Sequence, residues 1–304
     1  SILQEYDFVE LDSNNVMLFL GNRVPIEINT KFSLEEISHY LGCYFSDGTK
    51  RGNSWGICAS TFEQANYFIE MHSKIIKNSF LNIELTYTDP NNLVNNFLKE
   101  QLKNIWIKNT GLNLSKNKIW IYNTKTIDAP NRNMYGALSI KEHRQLVLLY
   151  YNELLIYVVE SIIKNNNQSL ALDFIMGVLE GDGAPSAKSR GHIVIASNKE
   201  EVKTLIKVFQ VLNIKHGGYY ENKNKAYIRI GSIELIELLC LIHKKLFLYY
   251  PKRRKRTIER LLNTGAAKFL IGKQPSTSSW ILKRFKQKDI FLAAKKFFKR
   301  RQII

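Results

Sequence analysis

Two similar stretches lie 135 residues apart when their aspartates are aligned: HYLGCYFSDG at residues 39–48 and IMGVLEGDG at residues 175–183. Their apolar residues predict a helix in each copy. A glycine inside a helix costs roughly 1 kcal/mol relative to alanine, so it needs a compensating gain. Because residues four apart share a helix face, a strip of small residues lets two helices approach closely. We expect the two helices to pack on each other through such strips, formed by Ser38, Gly42 and Ser46 in the first copy and by Gly177 and Gly181 in the second.

Each helix is then followed by Asp-Gly, at Asp47-Gly48 and Asp182-Gly183. A glycine after a helix is usually a left-handed stop, and we expect this of Gly48 and Gly183. An aspartate in the last turn is unfavourable, because the negative end of the helix dipole lies there. A divalent cation would offset that charge, and carboxylate oxygens suit magnesium. For one copy alone, Asp-Gly is more simply a common turn, but the paired copies favour a metal site.

The sequence around each copy follows the same plan. A capping box at Ser33 and Glu36 opens the first helix, SWGICAS predicts a strand, and a second box at Ser60 and Glu63 opens the next helix. IELTYT, KIWIYN and YGALSI predict further strands, and a long helix is expected from about Lys141 to Lys164. Before Ser33, short strands separated by turns form an N-terminal extension.

The second copy repeats this order. We expect Ser169 to cap its first helix, HIVIAS to form a strand, and Ser197 with Glu200 to open the following helix. A hairpin around ENKNK and the helix SIELIELLCLIHKK come next. The offset between the copies grows only from 135 to 137 residues, which indicates a duplicated domain. The predicted organisation is an extension at 1–32, a first half at 33–164, a linker at 165–168, a second half at 169–265 and a basic extension at 266–304.

Composition and charge limit the classes of protein to which this chain can belong. An apolar content of 45% is that of a globular chain, and the three cysteines are too scattered for a disulfide framework or a cysteine zinc site. No stretch reaches the roughly 18 uncharged apolar residues of a membrane span, so we expect a soluble, intracellular protein. Residues 252–301 hold 17 lysines and arginines against two acids, within a whole-chain charge of +17. Such a concentration is typical of a nucleic-acid binder rather than a membrane protein.

The paired stretches YLGCYFSDG and IMGVLEGDG resemble the two signatures of single-chain LAGLIDADG homing endonucleases, and the similarity of plan extends from about Leu34 to Leu262. The resemblance implies an α/β (α+β) fold of two pseudo-symmetric αββαββα halves, with the signature helices at their interface and antiparallel sheets forming a saddle over DNA. Phe45 stands where an acid is frequent in the family, whereas Glu180 keeps one.

The resemblance also implies a chemistry. It assigns Asp47 and Asp182 to Mg²⁺, or to another divalent cation such as Mn²⁺ or Ca²⁺, for the hydrolysis of one phosphodiester in each strand of a DNA target. The bound metal lowers the pKa of a water molecule for in-line attack. Lys255 matches the basic residue that the family places beside the metal, although its run of positive charge equally suits phosphate contacts. The counterpart of Lys255 in the first half is not identifiable.

Base reading is expected from side chains that enter the major groove. The hairpin tip residues Lys223 and Lys225 suit phosphate contacts better. The candidate DNA-binding residues are Lys50, Arg51, Asn53, Lys188, Arg190, His192, Lys223, Lys225, Tyr227, Arg229, Lys252, Arg253, Arg254 and Arg256.

Other interpretations stay open at this level. The basic tail predicts two short helices, one starting near Ser276 or Thr277 and one at Asp289, which would form either a helix-turn-helix module or a basic appendage on the body. The protein is expected to act as a monomer. It is alternatively an RNA-binding intron maturase of the same fold, or a non-cleaving DNA-binding regulator. The regulator predicts loss of a signature acid, and both acids are present.

Overall fold

The structure is a computed structural model, and it describes residues 6–88, 96–112, 114, 119–122, 135–186, 192–215, 218–222, 225–253, 264–270 and 288–300. The chain forms two compact units. Unit 1 comprises Ser1–Tyr40 and Asp47–Tyr157, and unit 2 comprises Leu41–Ser46 and Val158–Ile304. Both units combine helices with mainly antiparallel sheets, which confirms the predicted α/β (α+β) class.

Unit 1 contains three small β-strands followed by alternating helices and strands. Its sheets have the orders β1-β2-β3 and β4-β7-β5-β6, and every pairing is antiparallel except the parallel pair β5 and β6. The last residues of the final helix belong to unit 2, as does the stretch Leu41–Ser46 of the first. The elements are β1 (Asp7–Glu10), β2 (Asn15–Phe19), β3 (Ile26–Asn29), α1 (Leu34–Asp47), β4 (Trp55–Ala59), α2 (Phe62–Ile75), β5 (Asn82–Thr88), α3 (Asn96–Thr110), β6 (Ile119–Tyr122), β7 (Ala137–Glu142) and α4 (Gln145–Lys164).

Unit 2 has the αββαββα order that the resemblance implies. Its sheet runs β10-β11-β9-β8, with antiparallel pairing throughout. Among the described residues after the αββαββα core there are two helices, and the second starts within one residue of the predicted Asp289. The helix expected near Ser276 lies outside the described residues. The elements are α5 (Gln168–Gly181), β8 (Gly183–Ser186), β9 (His192–Ser197), α6 (Lys199–Val211), β10 (Gly218–Asn222), β11 (Lys225–Ile230), α7 (Ser232–Arg253), α8 (Gly265–Leu270) and α9 (Lys288–Arg300).

The first half departs from that order in two places. None of the described residues 48–54 lies in a strand, although Thr49 N donates to Gly56 O of the edge strand β4 at 2.8 Å. Its sequence, GTKRGNS, lacks the alternating apolar residues that a half-buried strand needs. In addition, α3 and β6 are inserted between β5 and β7.

Except for α4, the predicted helix starts agree with the observed ones to within one or two residues. The Ser33 box is confirmed, because Glu36 N donates to Ser33 Oγ at 3.2 Å and Ser33 N donates to the Glu36 carboxylate at 3.0 Å. The predicted caps at Ser60, Ser169 and Ser197 are wrong. Ser197, for example, still pairs within the β9 ladder, so the next residue takes the cap position. The observed caps are Thr61, Asn167 and Asn198, each accepting a backbone N–H three residues on.

Helix α4 starts at Gln145 rather than near Lys141. Lys141 and Glu142 are paired with Gly56 and Trp55 in the sheet, so the helix begins only after β7 ends. It is the one helix among the described residues that is long and apolar enough to cross a membrane, but 56% of that apolar stretch is buried inside the protein. Such burial is typical of a core helix.

A buried polar chain holds unit 1 together. His72 lies at its centre, with Nδ1 3.0 Å from the Tyr151 hydroxyl and Nε2 2.8 Å from the Glu142 carboxylate. Glu142 also forms a short ion pair with Arg144, which donates to the carbonyl oxygens of Pro25, at 3.2 Å, and of Asn78, at 2.8 Å. This series of hydrogen-bonded side chains thus joins α2, β7 and α4 to the segment before β3.

The ionisation of this chain follows from its surroundings. Burial lowers the pKa of His72 and outweighs the opposite effect of Glu142, so the ring is neutral. Burial would raise the pKa of Glu142, but the hydrogen bond from His72 and the charge of Arg144 leave it lowered. A neutral ring with its proton on Nε2 donates to Glu142 and accepts from Tyr151, so each of its nitrogens has a partner.

Candidate metal and nucleic-acid site

The first signature helix meets the second at a glycine. Within unit 2, a Cβ added at Gly42 of α1 would lie 2.1 Å from the carbonyl oxygen of Phe174 and 3.1 Å from the Cα of Gly177, both in α5. The Phe45 and Phe174 rings meet edge to face, with centroids 5.4 Å apart. Only glycine permits such an approach, because a side chain would collide with backbone atoms. The expected packing of the two helices through small residues is therefore observed at Gly42.

The two helices end differently from the expected left-handed stop. Among the described glycines, a positive φ occurs at Gly21, Gly52, Gly111 and Gly136, so Gly48 and Gly183 are not left-handed. At Gly183 the requirement is steric instead, since a Cβ there would lie 2.4 Å from the Leu179 carbonyl oxygen. The Asp182 N–H donates to Val178 O at 3.0 Å and caps α5, and β8 begins directly at Gly183.

Both signature aspartates are half-buried at the carboxyl ends of these helices. The last turns of α1 and α5, which are described in full, contain no lysine, arginine or histidine. Each carboxylate therefore adds to the negative end of a helix dipole that no basic residue of its own last turn offsets. Within its own unit, each carboxylate is a partly accessible oxygen donor in a negative potential, the kind of ligand that a hard divalent cation such as Mg²⁺ takes.

Asp47 lies beside the outward face of the unit 1 sheet. Cys58 of β4 is an exposed residue, but the pKa of its thiol is raised, mainly because protein atoms surround the sulfur. The negative charge of Asp47 also raises this pKa, whereas a hydrogen bond with Ser139 and the positive charge of Lys141 lower it. The charge of Asp47 thus acts on a side chain of β4.

That outward face is polar. Strand register places Cys58 beside Ser139 and Ser139 beside Glu84, across β4, β7 and β5. Lys141, two residues after Ser139 on the same face of β7, forms an ion pair of 2.8 Å with Glu84. The alternate residues Leu138 and Ile140 are buried, as expected of a sheet with one core face. Glu84, Ser139 and Lys141 were not among the predicted DNA-binding residues, although the alternation in ALSIKE indicates that Ser139 and Lys141 point outward.

The sheet of unit 2 carries two of the predicted DNA-binding residues on its outward face. Tyr227 is half-exposed and Arg229 is exposed, while their neighbours Ala226, Ile228 and Ile230 on β11 are buried. Both side chains therefore lie on the outward face of this sheet. Arg229 pairs with Gly218, which has no side chain to cover it.

The loop after α1 carries three more predicted residues. Arg51 and Asn53 are exposed and Lys50 is half-buried, with its carbonyl oxygen 3.1 Å from the Asn152 side-chain nitrogen. For His192, Lys225, Lys252 and Arg253 the structure describes only the backbone, in β9, β11 and α7. The remaining predicted positions lie outside the described residues: Lys188, Arg190, Lys223, Arg254, Lys255 and Arg256.

Comparison with known proteins gives weak matches. No protein-family model and no curated protein matches the chain. Among solved structures, I-DmoI in complex with DNA and Ca is 13% identical, with 70% of this chain and 90% of that one covered at a TM-score of 0.33. Mesophilic variants of the homing endonuclease I-DmoI are 14% identical, with 69% of this chain and 94% of that one covered at a TM-score of 0.32. The N-terminal LAGLIDADG domain of DUF199/WhiA is also 14% identical, with 83% of this chain and 89% of that one covered at a TM-score of 0.37.

Proposed function

We propose that this chain is a site-specific DNA endonuclease that depends on a divalent metal, with Asp47 and Asp182 as the metal ligands. The observation that carries the proposal is the contact of α1 with α5 at Gly42. Two helices that meet backbone to backbone each continue to an aspartate, five residues after Gly42 in one and five after Gly177 in the other. A common turn repeated by chance would not require glycine at that contact.

The roles of the residues follow from their environment. The helix ends raise the negative potential around Asp47 and Asp182, so each carboxylate favours a cation. A bound Mg²⁺ or Mn²⁺ supplies an acidified water molecule and stabilises charge on a phosphate. Lys255 would stabilise charge beside the second aspartate or contact a phosphate.

DNA would be held by the outward sheet faces and the basic segments. Tyr227, which is half-exposed, and Arg229, which is exposed, lie on the outward face of β11 and suit base edges in the major groove. Near Asp47, the outward side chains of Glu84, Ser139 and Lys141 offer both donors and acceptors. Since one chain carries both aspartates, we propose that the enzyme acts as a monomer on double-stranded DNA.

The test is cleavage of a randomised duplex library by the full chain in Mg²⁺, read by sequencing the cut ends. We expect cutting at one preferred sequence, and a loss of double-strand cleavage of at least about 100-fold in Asp47→Asn and in Asp182→Asn, with DNA binding retained. Asp7→Asn and Asp289→Asn, which remove exposed carboxylates elsewhere, are matched controls and should cut normally.

Several results would overturn the proposal. Cleavage that survives both signature substitutions would place the chemistry elsewhere. Specific duplex binding with no cleavage in Mg²⁺ or Mn²⁺ would indicate a regulator, and selective binding of an intron RNA with restored splicing would indicate a maturase.

A further inference from the structure

The C-terminal helix α9 has one apolar face, and that face is already occupied. Phe291 and Ala294 are 0% exposed and Phe298 is 2% exposed. The Phe291 ring lies 6.1 Å from that of Phe269 in α8, and the Phe297 ring lies 4.9 Å from His243 in α7. The helix is therefore fixed on α7 and α8 within unit 2.

The other face of α9 is basic. Lys296, Lys299 and Arg300 are exposed at i, i+3 and i+4, so they project from one side of the helix. Lys295 lies next to them, half-buried, with Nζ 6.0 Å from the centroid of the Phe291 ring. Among the described residues, none of these four takes part in an ion pair, and the acid of α9, Asp289, lies near its opposite end. We name these four residues the α9 basic face.

The helix dipole explains only part of this charge. Basic residues in a last turn stabilise a helix, which accounts for Lys299 and Arg300. Lys295 and Lys296 lie one turn earlier, where the dipole effect has fallen off. Four like charges within two turns repel one another, so an anionic partner would relieve the repulsion.

We infer that the α9 basic face binds the phosphate backbone of duplex DNA without reading its sequence, an inference that rests on the proposed function. A membrane is the weaker partner, because a helix lying on a bilayer inserts its apolar face, and here that face is covered by protein. Among the described residues of α9, Leu292 is the large apolar side chain that is exposed to solvent, at 56%. Cationic side chains on a fixed helix suit a polyanion, where each neutralised phosphate releases counterions.

The inference predicts a smaller salt dependence of DNA binding when the face is neutralised. In Lys296→Gln/Lys299→Gln/Arg300→Gln, the slope of log K against log [salt] for a duplex of random sequence should fall by about 0.9 for each phosphate that the helix no longer neutralises, or about 2.7 for three. Affinity for preferred and random duplexes should fall by the same factor. Loss of the helix-dipole interaction of Lys299 and Arg300 should lower the melting temperature only slightly, because both side chains are exposed.

The matched control removes the same charge elsewhere. Lys74, Lys164 and Lys203 are exposed lysines that already pair with Glu70, Glu160 and Glu200, at 3.0, 2.7 and 2.9 Å. Lys74→Gln/Lys164→Gln/Lys203→Gln has the same net charge as the α9 variant, so a general charge effect would change both slopes equally. We expect a near-parental slope in the control.

Equal slopes in the two triple variants would overturn the α9 inference and leave the proposed function standing. A parent chain that binds no duplex at low salt would overturn the proposed function itself. If the α9 variant lost affinity only for single-stranded RNA, or only for phosphatidylserine vesicles, the inference would be wrong about its partner.

Discussion

Glu142→Gln is expected to lower the free energy of unfolding by about 3–5 kcal/mol, the usual cost of removing one member of a buried ion pair. The Glu142 side chain is 0% exposed, and that of its partner Arg144 is only 9% exposed. Glutamine keeps the size and a hydrogen bond to His72 but leaves the guanidinium of Arg144 without a counter-charge. Since Arg144 also binds Pro25 and Asn78, the damage should reach the segment before β3.

The measurement is urea denaturation followed by circular dichroism, with hydrogen exchange to locate the loss. Glu160→Gln is the matched control, since Glu160 forms an exposed i, i+4 pair with Lys164 and should cost less than about 1 kcal/mol. Equal stability of the two variants would mean that the chain from Tyr151 to Arg144 does not stabilise unit 1.

Gly42→Ala is expected to cost about 2 kcal/mol. Alanine normally gains roughly 1 kcal/mol over glycine inside a helix. Here, however, its Cβ would lie 2.1 Å from the Phe174 carbonyl oxygen, and neither backbone can move without separating α1 from α5. The same separation should weaken DNA cleavage, because both helices lead to the proposed metal ligands.

Hydrogen exchange by mass spectrometry distinguishes this local effect from general unfolding. Peptides from α5 should exchange faster in Gly42→Ala, while peptides from α3 in unit 1 should not change. Ser46→Ala, one turn later on α1, removes only a hydroxyl bonded to its own helix, and it should leave α5 protected. Normal protection of α5 in Gly42→Ala would show that the glycine is not required for the packing.

Features that depend on local pattern were predictable. The alternation in HIVIAS and AYIRI predicts β9 and β11, and the paired glycine motif predicts the contact of α1 with α5. The sequence around α3 also contains a helical pattern, because Leu98, Leu102 and Trp106 recur at i, i+4 and i+8. Leu102 and Trp106 are buried, as this pattern predicts. The cap positions differ because serine, threonine and asparagine cap almost equally well, so the strand that precedes decides among neighbours.

Features that depend on distant residues were not predictable. His72 and Glu142 are 70 residues apart, and nothing in either local sequence specifies their pairing. The same holds for the outward residues near Asp47: Glu84 and Ser139 become neighbours of Cys58 only through the strand order β4-β7-β5. That order includes the insertion of α3 and β6, which has no counterpart in the second half.

The most direct test of the central claim is anomalous scattering from Mn²⁺ in crystals of the full chain bound to its preferred duplex, because manganese takes the oxygen ligands of magnesium. We predict an anomalous peak in contact with the carboxylate of Asp47 and another with that of Asp182, each absent from the corresponding asparagine variant. Bound manganese that touches neither carboxylate, in crystals that cut the DNA, would contradict the assignment of both residues.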